Sequence, residues 1–138
     1  MSVHAGLLRL ATDGNGEIVD VTEGVRTIVE RSEVRTGVAT VFAVGATVAV
    51  TTLEYEPGAV ADLQALLDRL IPVAGDYRHN ALNGDTNAHA HLRAAIIGPS
   101  ESVPIVDGAL GLGTWQQIVL VDFDDRPRER VVSVHVLG

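Results

Sequence analysis

The chemically useful side chains crowd into one short stretch, Tyr77-Arg78-His79-Asn80 followed by Gly84-Asp85-Thr86-Asn87-Ala88-His89-Ala90-His91. Histidine titrates near neutrality and is the commonest metal ligand. His79, His89 and His91 with Asp85 therefore suit either a zinc site or a general acid/base cluster. The competing reading is a loop and helix cap held by side-chain hydrogen bonds, with Asp85 as the cap. Spacing separates the histidines. On a helix each residue turns about 100°, so His89 and His91 point roughly 200° apart and cannot grip one ion together. A helix over 87–97 lets only one of them join His79. His91, beside the small Ala94 and Ala95, is the expected partner, because His89 sits over Arg93, whose charge repels a cation.

Other groups extend this set. Arg78, Arg93 and the helix start at Asp85 to Asn87 form a candidate anion site, since unpaired N–H groups at a helix N-terminus favour phosphate. Glu54, at a strand end before Pro57, is a candidate acid, base or metal ligand, against the plainer role of a solvated carboxylate. Trp115, the only Trp, follows Gly111-Leu112-Gly113-Thr114. It reads as core, as a subunit contact or as a stacking surface for a ligand. Arg126, Arg128 and Arg130 interleave with Asp124, Asp125 and Glu129 and read as ion pairs rather than a phosphate clamp.

The elements that must position these residues follow from periodicity and punctuation. His4 to Ala11 and Glu17 to Asp20 flank Thr12-Asp13-Gly14-Asn15-Gly16, which reads as a hairpin turn. Val21, Val25, Ile28 and Val29 recur at helical spacing from a Thr22 N-cap, with Gly37 as the breaker. Val38 to Val44 and Ala46 to Glu54 are rich in Val and Thr and read as strands. Val60, Leu63, Leu66, Leu67 and Leu70 line one helical face between Pro57 and Pro72, and Leu63, Leu66, Leu67 and Leu70 are expected at or near the core. Val73 to Thr86 has no period and reads as a long loop. After the 87–97 helix, stopped by Gly98-Pro99, come strands at Val103 to Val106, Leu110 to Phe123 and Arg130 to Leu137. The order lacks regular βαβ alternation. It predicts an α+β fold, one domain over residues 1–138, with a large antiparallel sheet or sandwich and about three helices.

Composition narrows the functions. The 138 residues carry Lys+Arg 10 against Asp+Glu 18, a net charge of −8, which argues against nucleic acid as partner. There is no Cys and, among the ten basic residues, no Lys. Thiolate chemistry, Schiff bases and Walker-type phosphate loops are thereby excluded. With no apolar run of membrane length and no signal-type start, the expected setting is the cytoplasm, away from membranes.

Two motifs carry a resemblance. Gly84-Asp85-x-Asn87-Ala88-His89-Ala90-His91-Leu92-x-Ala94-x-x-x-Gly98-x-Ser100 precedes Val103-Pro104-x-x-x-Gly108-x-Leu110-x-Leu112-Gly113-Thr114-Trp115-Gln116-x-Ile118. Together with Glu54-x-Glu56-Pro57-Gly58 they resemble the YjbQ family, also called UPF0047, along nearly the whole chain. The resemblance implies a homotrimer of small α+β domains. It also implies a secondary thiamine-phosphate synthase activity, which joins hydroxymethylpyrimidine diphosphate to a thiazole phosphate and releases pyrophosphate. The alternative is a non-catalytic trimeric protein that binds a metal or small ligand. For the synthase the expected catalytic set is His79, His91 and Asp85. Arg78, Asn87, Arg93, Ser100, Trp115 and Gln116 would contact a small phosphorylated molecule, and His79, His91 and Glu54 would hold a divalent ion, magnesium or zinc. One departure stands out: many relatives have Pro-His-Thr-Thr where this chain has Val44-Gly45-Ala46-Thr47, so that histidine's role has no counterpart here.

Overall fold

The computed structural model describes residues 2–138. Eight strands and four helices follow one another as β1 (Val3–Thr12), β2 (Glu17–Asp20), α1 (Thr22–Ser32), β3 (Gly37–Val44), β4 (Val48–Leu53), α2 (Pro57–Leu70), α3 (Arg78–Asn83), α4 (Ala88–Ile97), β5 (Ser100–Val106), β6 (Ala109–Leu110), β7 (Gln117–Asp122) and β8 (Arg128–Leu137). They form an antiparallel five-stranded sheet, β1-β8-β3-β5-β6, and a three-stranded sheet, β2-β7-β4. This is the α+β architecture that the sequence predicts.

Side-chain alternation builds the layers. Ala39, Val41 and Val134 of the large sheet meet Val25, Ile28 and Val29 of α1 and one face of the small sheet, Val48, Val50, Ile118 and Leu120. The other face of the small sheet, Ala49, Val119 and Val121, packs under Leu67 of α2 and Ala90 and Ala94 of α4. Strand β7 is apolar on both sides because both sides are covered, which is why it lacks the alternation of a half-exposed strand. The outer face of the large sheet is not covered: Val3, Leu7, Phe42, Val44 and Val106 are exposed.

Pairing corrects several expectations. The opening strands do not form a hairpin, because β1 pairs with β8 while β2 pairs with β7 in the other sheet. Strands β3 and β4 likewise belong to different sheets. Gly14, at φ 73°, makes the first crossing possible, since a Cβ there would stand 2.5 Å from the Asp124 carbonyl oxygen. Residues 111–116 form a loop, so Trp115 is not on a strand, and β5 begins at Ser100. Thr22 is not the cap of α1. That position falls to Val21, and the Thr22 hydroxyl instead bonds to Asp20 Oδ1 (2.6 Å) and accepts from the Ile118 N–H (2.9 Å).

Helix α2 starts as its sequence directs, with Pro57 in the first turn and the Glu56 carboxylate accepting from the Gly58 and Ala59 N–H groups. Its apolar stripe is wider than its contact. Leu67 is 6% exposed, whereas Leu66 is 42% and Leu70 67% exposed; Leu63 packs at the margin of the second core. The stretch read as a loop from Val73 contains α3, a six-residue helix. Fewer than two turns give no detectable period.

Three connections between the sheets, β1 to β2, β3 to β4 and β7 to β8, meet at one corner. Arg130 grips the fully buried Asp122 through Nε (2.7 Å) and Nη2 (2.9 Å) and reaches Thr47 Oγ1 through Nη2 (2.8 Å). Thr12 donates to the same Asp122 carboxylate, and Arg128 Nε donates to Asp124 at 2.6 Å. Backbone bonds close the corner, from the Asn15 N–H to the Asp124 carbonyl (2.7 Å), from Gly16 to Asp122 (2.8 Å) and from Phe123 to Thr47 (2.9 Å). Arg128 and Arg130 thus form the ion pairs their spacing predicts. Arg126 has no such partner.

Candidate functional site

The histidines meet where α3 turns into α4. Gly84 ends α3 in the left-handed region at φ 61°, its N–H bonding back to the Asn80 carbonyl, a usual way for a helix to stop. The Asp85 N–H bonds to the same carbonyl (3.2 Å), and the Asn83 side chain donates to the His79 carbonyl (2.9 Å). The tight reversal lays His79 against His91, with ring centroids 4.7 Å apart and planes tilted by 46°. His89, two residues earlier on α4, is 2% exposed and faces away from solvent. Burial, reinforced by the Arg93 charge, holds its pKa below the usual imidazole value.

Beside His91 lies an open depression of about 310 Å³ floored by Gly45, Ala46, Val48, Ala94 and Ala95. Small side chains on α4 and at the β3–β4 turn make the space. Gly45 sits at φ 148°, and a Cβ there would come within 3.1 Å of Val48 and 3.2 Å of Arg130 Nη1. A side chain in its place would need a different turn. At the start of α3, exposed Arg78 lines a separate broad groove of about 470 Å³ with Tyr77 and Asn80; neither His79 nor His91 lines it.

The other expected site residues fall elsewhere. Asp85 is exposed and is not the cap of α4: that position falls to Asn87, and the Asp85 carboxylate accepts only from the Thr86 N–H (2.8 Å), ahead of the helix. Asn87 is buried and donates to Asp124 Oδ1 (3.3 Å). Arg93 is no free phosphate ligand. Its Nε and Nη2 donate to the Ile71 carbonyl (3.0 and 2.7 Å), Nη2 also meets Asp68 (3.0 Å), and its guanidinium lies 5.9 Å above the Phe123 ring. It straps the end of α2 to α4. Ser100 is exposed at the start of β5.

Trp115, 73% exposed, and Gln116, which donates to Thr52 Oγ1 (3.1 Å), sit at the far end of β4 from His91. Exposed Glu54 follows the same end. Six residues of strand separate Val48 from Glu54, about 20 Å, so Glu54 does not join the histidine pair within one chain. Among the described residues no three His, Asp or Glu side chains gather closely enough to hold a metal. The expected His79, His91 and Glu54 ion site is therefore not formed by a single chain.

Sequence reasoning missed Asn80. Its side-chain oxygen accepts from the Ala88 N–H (3.0 Å) and lies 3.1 Å from His79 Nδ1, so it ties α3 to the first turn of α4. An amide eight residues ahead of a helix start is the only signal of this, and the spacing is not a recognised cap.

An antiparallel sheet pair covered by helices on one side, with paired imidazoles at a helical reversal, defines the class of protein. Residues 7–138 match the family model for UPF0047 protein YjbQ-like. The chain is 38% identical over 138 residues, all of this chain and 94% of its relative, to a UPF0047 protein of Methanothermobacter thermautotrophicus. It is 40% identical over 122 residues, 88% of this chain and 90% of its relative, to one of Mycobacterium tuberculosis. Among solved structures, a YbjQ-like protein of unknown function from Sulfolobus solfataricus superposes with a TM-score of 0.90 at 32% identity, covering 99% of both chains. A hypothetical protein from Aeropyrum pernix does so with a TM-score of 0.90 at 36% identity, covering 97% and 98%. The chain belongs to the UPF0047, YjbQ-like family.

Proposed function

We propose that the protein is a cytoplasmic transferase of the thiamine-phosphate-forming type, working at the His79–His91 pair. The observation that carries this reading is the pair itself. Two imidazoles lie 4.7 Å apart, His91 lines an apolar depression, and Arg78, the residue before His79, lines a groove of its own. In the reaction the bond from the pyrimidine methylene to the diphosphate oxygen breaks, and a bond from that carbon to the thiazole nitrogen forms. The electron pair leaves on pyrophosphate. Developing charge there needs positive or hydrogen-bonding partners, and Arg78 and a protonated histidine supply them. A magnesium ion would arrive on the diphosphate oxygens, which suit it better than imidazoles do, rather than on a carboxylate–histidine triad.

Purified protein given hydroxymethylpyrimidine diphosphate and thiazole phosphate is expected to release pyrophosphate. His79→Ala and His91→Ala should each lower that rate by about 100-fold or more, the usual worth of a general acid or base. Equal rates in wild type and both variants would sink the assignment. One observation favours the second reading, a non-catalytic ligand-binding protein: Arg93 is committed to Ile71 and Asp68, which leaves few cations for a substrate with several phosphates. Saturable substrate binding without pyrophosphate release would establish that reading instead.

We also propose a homotrimer. On the outer face of the large sheet the register aligns Leu7, Ser133, Phe42 and Ser100 in one row and Ala5, His135, Thr40 and Ser102 in the next. Rows nearly free of charge and holding exposed Leu and Phe are interface rather than solvated surface. Light scattering at micromolar concentration checks this, with three times 14.6 kDa expected and a monomer overturning it.

A further inference from the structure

The working atom of His79 is decided by a backbone group that helix geometry leaves without a partner. Ala88 opens α4, and the first N–H groups of a helix have no acceptor inside it. The Ala88 N–H donates to the Asn80 side chain at 3.0 Å. The atom that receives it is the amide oxygen Oδ1, because the amide nitrogen of Asn is a donor and would oppose it. That same oxygen lies 3.1 Å from His79 Nδ1. An amide oxygen carries no hydrogen, so Nδ1 must carry one. A neutral imidazole has a single N–H, which leaves the lone pair on Nε2. Among the described residues Nε2 has no hydrogen-bond partner, and it is not one of the buried unpartnered atoms, which are Asn87 Oδ1 and His89 Nδ1, so it is not sealed from solvent.

We propose that Asn80 is a positioning residue that holds His79 as the Nδ1–H tautomer, making Nε2 the atom that meets a ligand. The proposal rests on the His79–His91 pair being the ligand site. In its neutral form His79 then accepts a hydrogen bond or a proton from an O–H or N–H of the ligand. Only after gaining that proton does Nε2 face an anionic oxygen, with the Nδ1 bond to Asn80 unchanged. The ligand group next to His79 in the resting site is thus a hydroxyl or amine, and phosphate oxygens come there later or elsewhere. This is the arrangement by which an outer partner fixes the role of a catalytic or ligating imidazole.

Full-length protein labelled with 15N-histidine, studied by multiple-bond 1H–15N correlation at about pH 8.5, two units above the usual imidazole pKa, reads the tautomer directly. His79 should show a pyrrole-like Nδ1 and a pyridine-like Nε2, the peaks being assigned by their loss in His79→Gln. Free histidine side chains favour the Nε2–H form, so in Asn80→Ala the two resonances should exchange character. Asn80→Asp, which keeps an acceptor oxygen, should retain the wild-type pattern. A pyridine-like Nδ1 in the wild type, or an unchanged pattern in Asn80→Ala, overturns the proposal. Should Asn80→Ala not fold, the wild-type pattern decides alone. The Nδ1–H signature without pyrophosphate release overturns the transferase reading only, and the Nε2–H signature with release overturns this inference only.

Discussion

The corner at Asp122 and Arg130 and the reversal at His79 and His91 are both built from titratable side chains, yet they are finished differently. At the corner each donor meets an acceptor: Arg130 bonds Asp122 twice and Thr47 once, Thr12 adds a hydroxyl, and Arg128 and Asn87 serve Asp124. Apart from the half-exposed Arg128 the groups are buried, and Asn87 Oδ1 is the one acceptor of the cluster left without a partner among the described residues. At the reversal, among the described residues, one ring nitrogen of His79 is engaged, by Asn80, and neither nitrogen of His91 has a partner. A buried cluster whose charges are matched holds the fold, and one at the surface with ring nitrogens left over is free for chemistry.

That contrast can be broken at several points. The largest loss should come from Arg130→Ala, which strands a carboxylate with no solvent exposure. Breaking one side of a buried pair costs about 3–5 kcal/mol, and a loss under about 1 kcal/mol in urea unfolding would show that the corner is not structural. Leu67→Ala should cost about 2–5 kcal/mol as a buried Leu. Leu70→Ala should stay within about 0.5 kcal/mol in the isolated chain, and the two together test how narrow the contact of α2 is.

Asp124 gives a pH signature of somewhat smaller size. Burial pushes its carboxyl up, but the Asp125 N–H, the Arg128 guanidinium and the Asn87 amide outweigh this and bring it down to about 2. The folded value lies below the unfolded one. The stabilisation is therefore complete above pH 4 and is lost as pH falls toward 2, a change of about 2 kcal/mol at 1.36 kcal/mol per unit. Unfolding followed at pH 5 and pH 2 should show that loss in the wild type and much less of it in Asp124→Asn. The smallest effects on stability belong to His79→Ala and His91→Ala, each within about 0.5 kcal/mol, although on the proposed reading each is expected to lower pyrophosphate release by about 100-fold or more. A large thermal destabilisation by both would move the pair into the same category as the corner.

Local pattern made the helices legible. Pro57 and the Leu spacing mark α2, and Gly98-Pro99 ends α4 at Ile97. The rotation of a helix is enough to put His91, and not His89, next to His79. What stayed hidden depends on partners far away in sequence. Nothing near Val3–Thr12 says that its partner is Arg128–Leu137 rather than Glu17–Asp20, since alternation specifies a face and not a neighbour. Arg93 reads as a phosphate ligand until Ile71 and Asp68, 22 and 25 residues earlier, are seen to occupy it. Leu66 and Leu70 share a stripe with Leu67, but the small sheet beneath α2 is too narrow to cover all three. Trp115 was set on a strand that Gly111 and Gly113 interrupt.

The corner also has a bearing on how the chain reaches its shape. Thr12, Asp122 and Arg130 come from three separate stretches, and the Asp122 carboxylate has both its charge partner and its hydroxyl donor only when β1 and β8 have both arrived. An intermediate that joined β1 to β2 as a simple hairpin would satisfy local preferences while leaving that carboxylate without its hydroxyl partner in the apolar interior. Its energetic penalty rejects the tempting local pairing and favours the long-range one. Charge compensation at a single point thus proofreads the topology. Replacing Asp122 and Arg130 together by Leu should relax that control, and the double variant is expected to refold with additional slow phases in stopped-flow experiments even where its equilibrium stability is preserved.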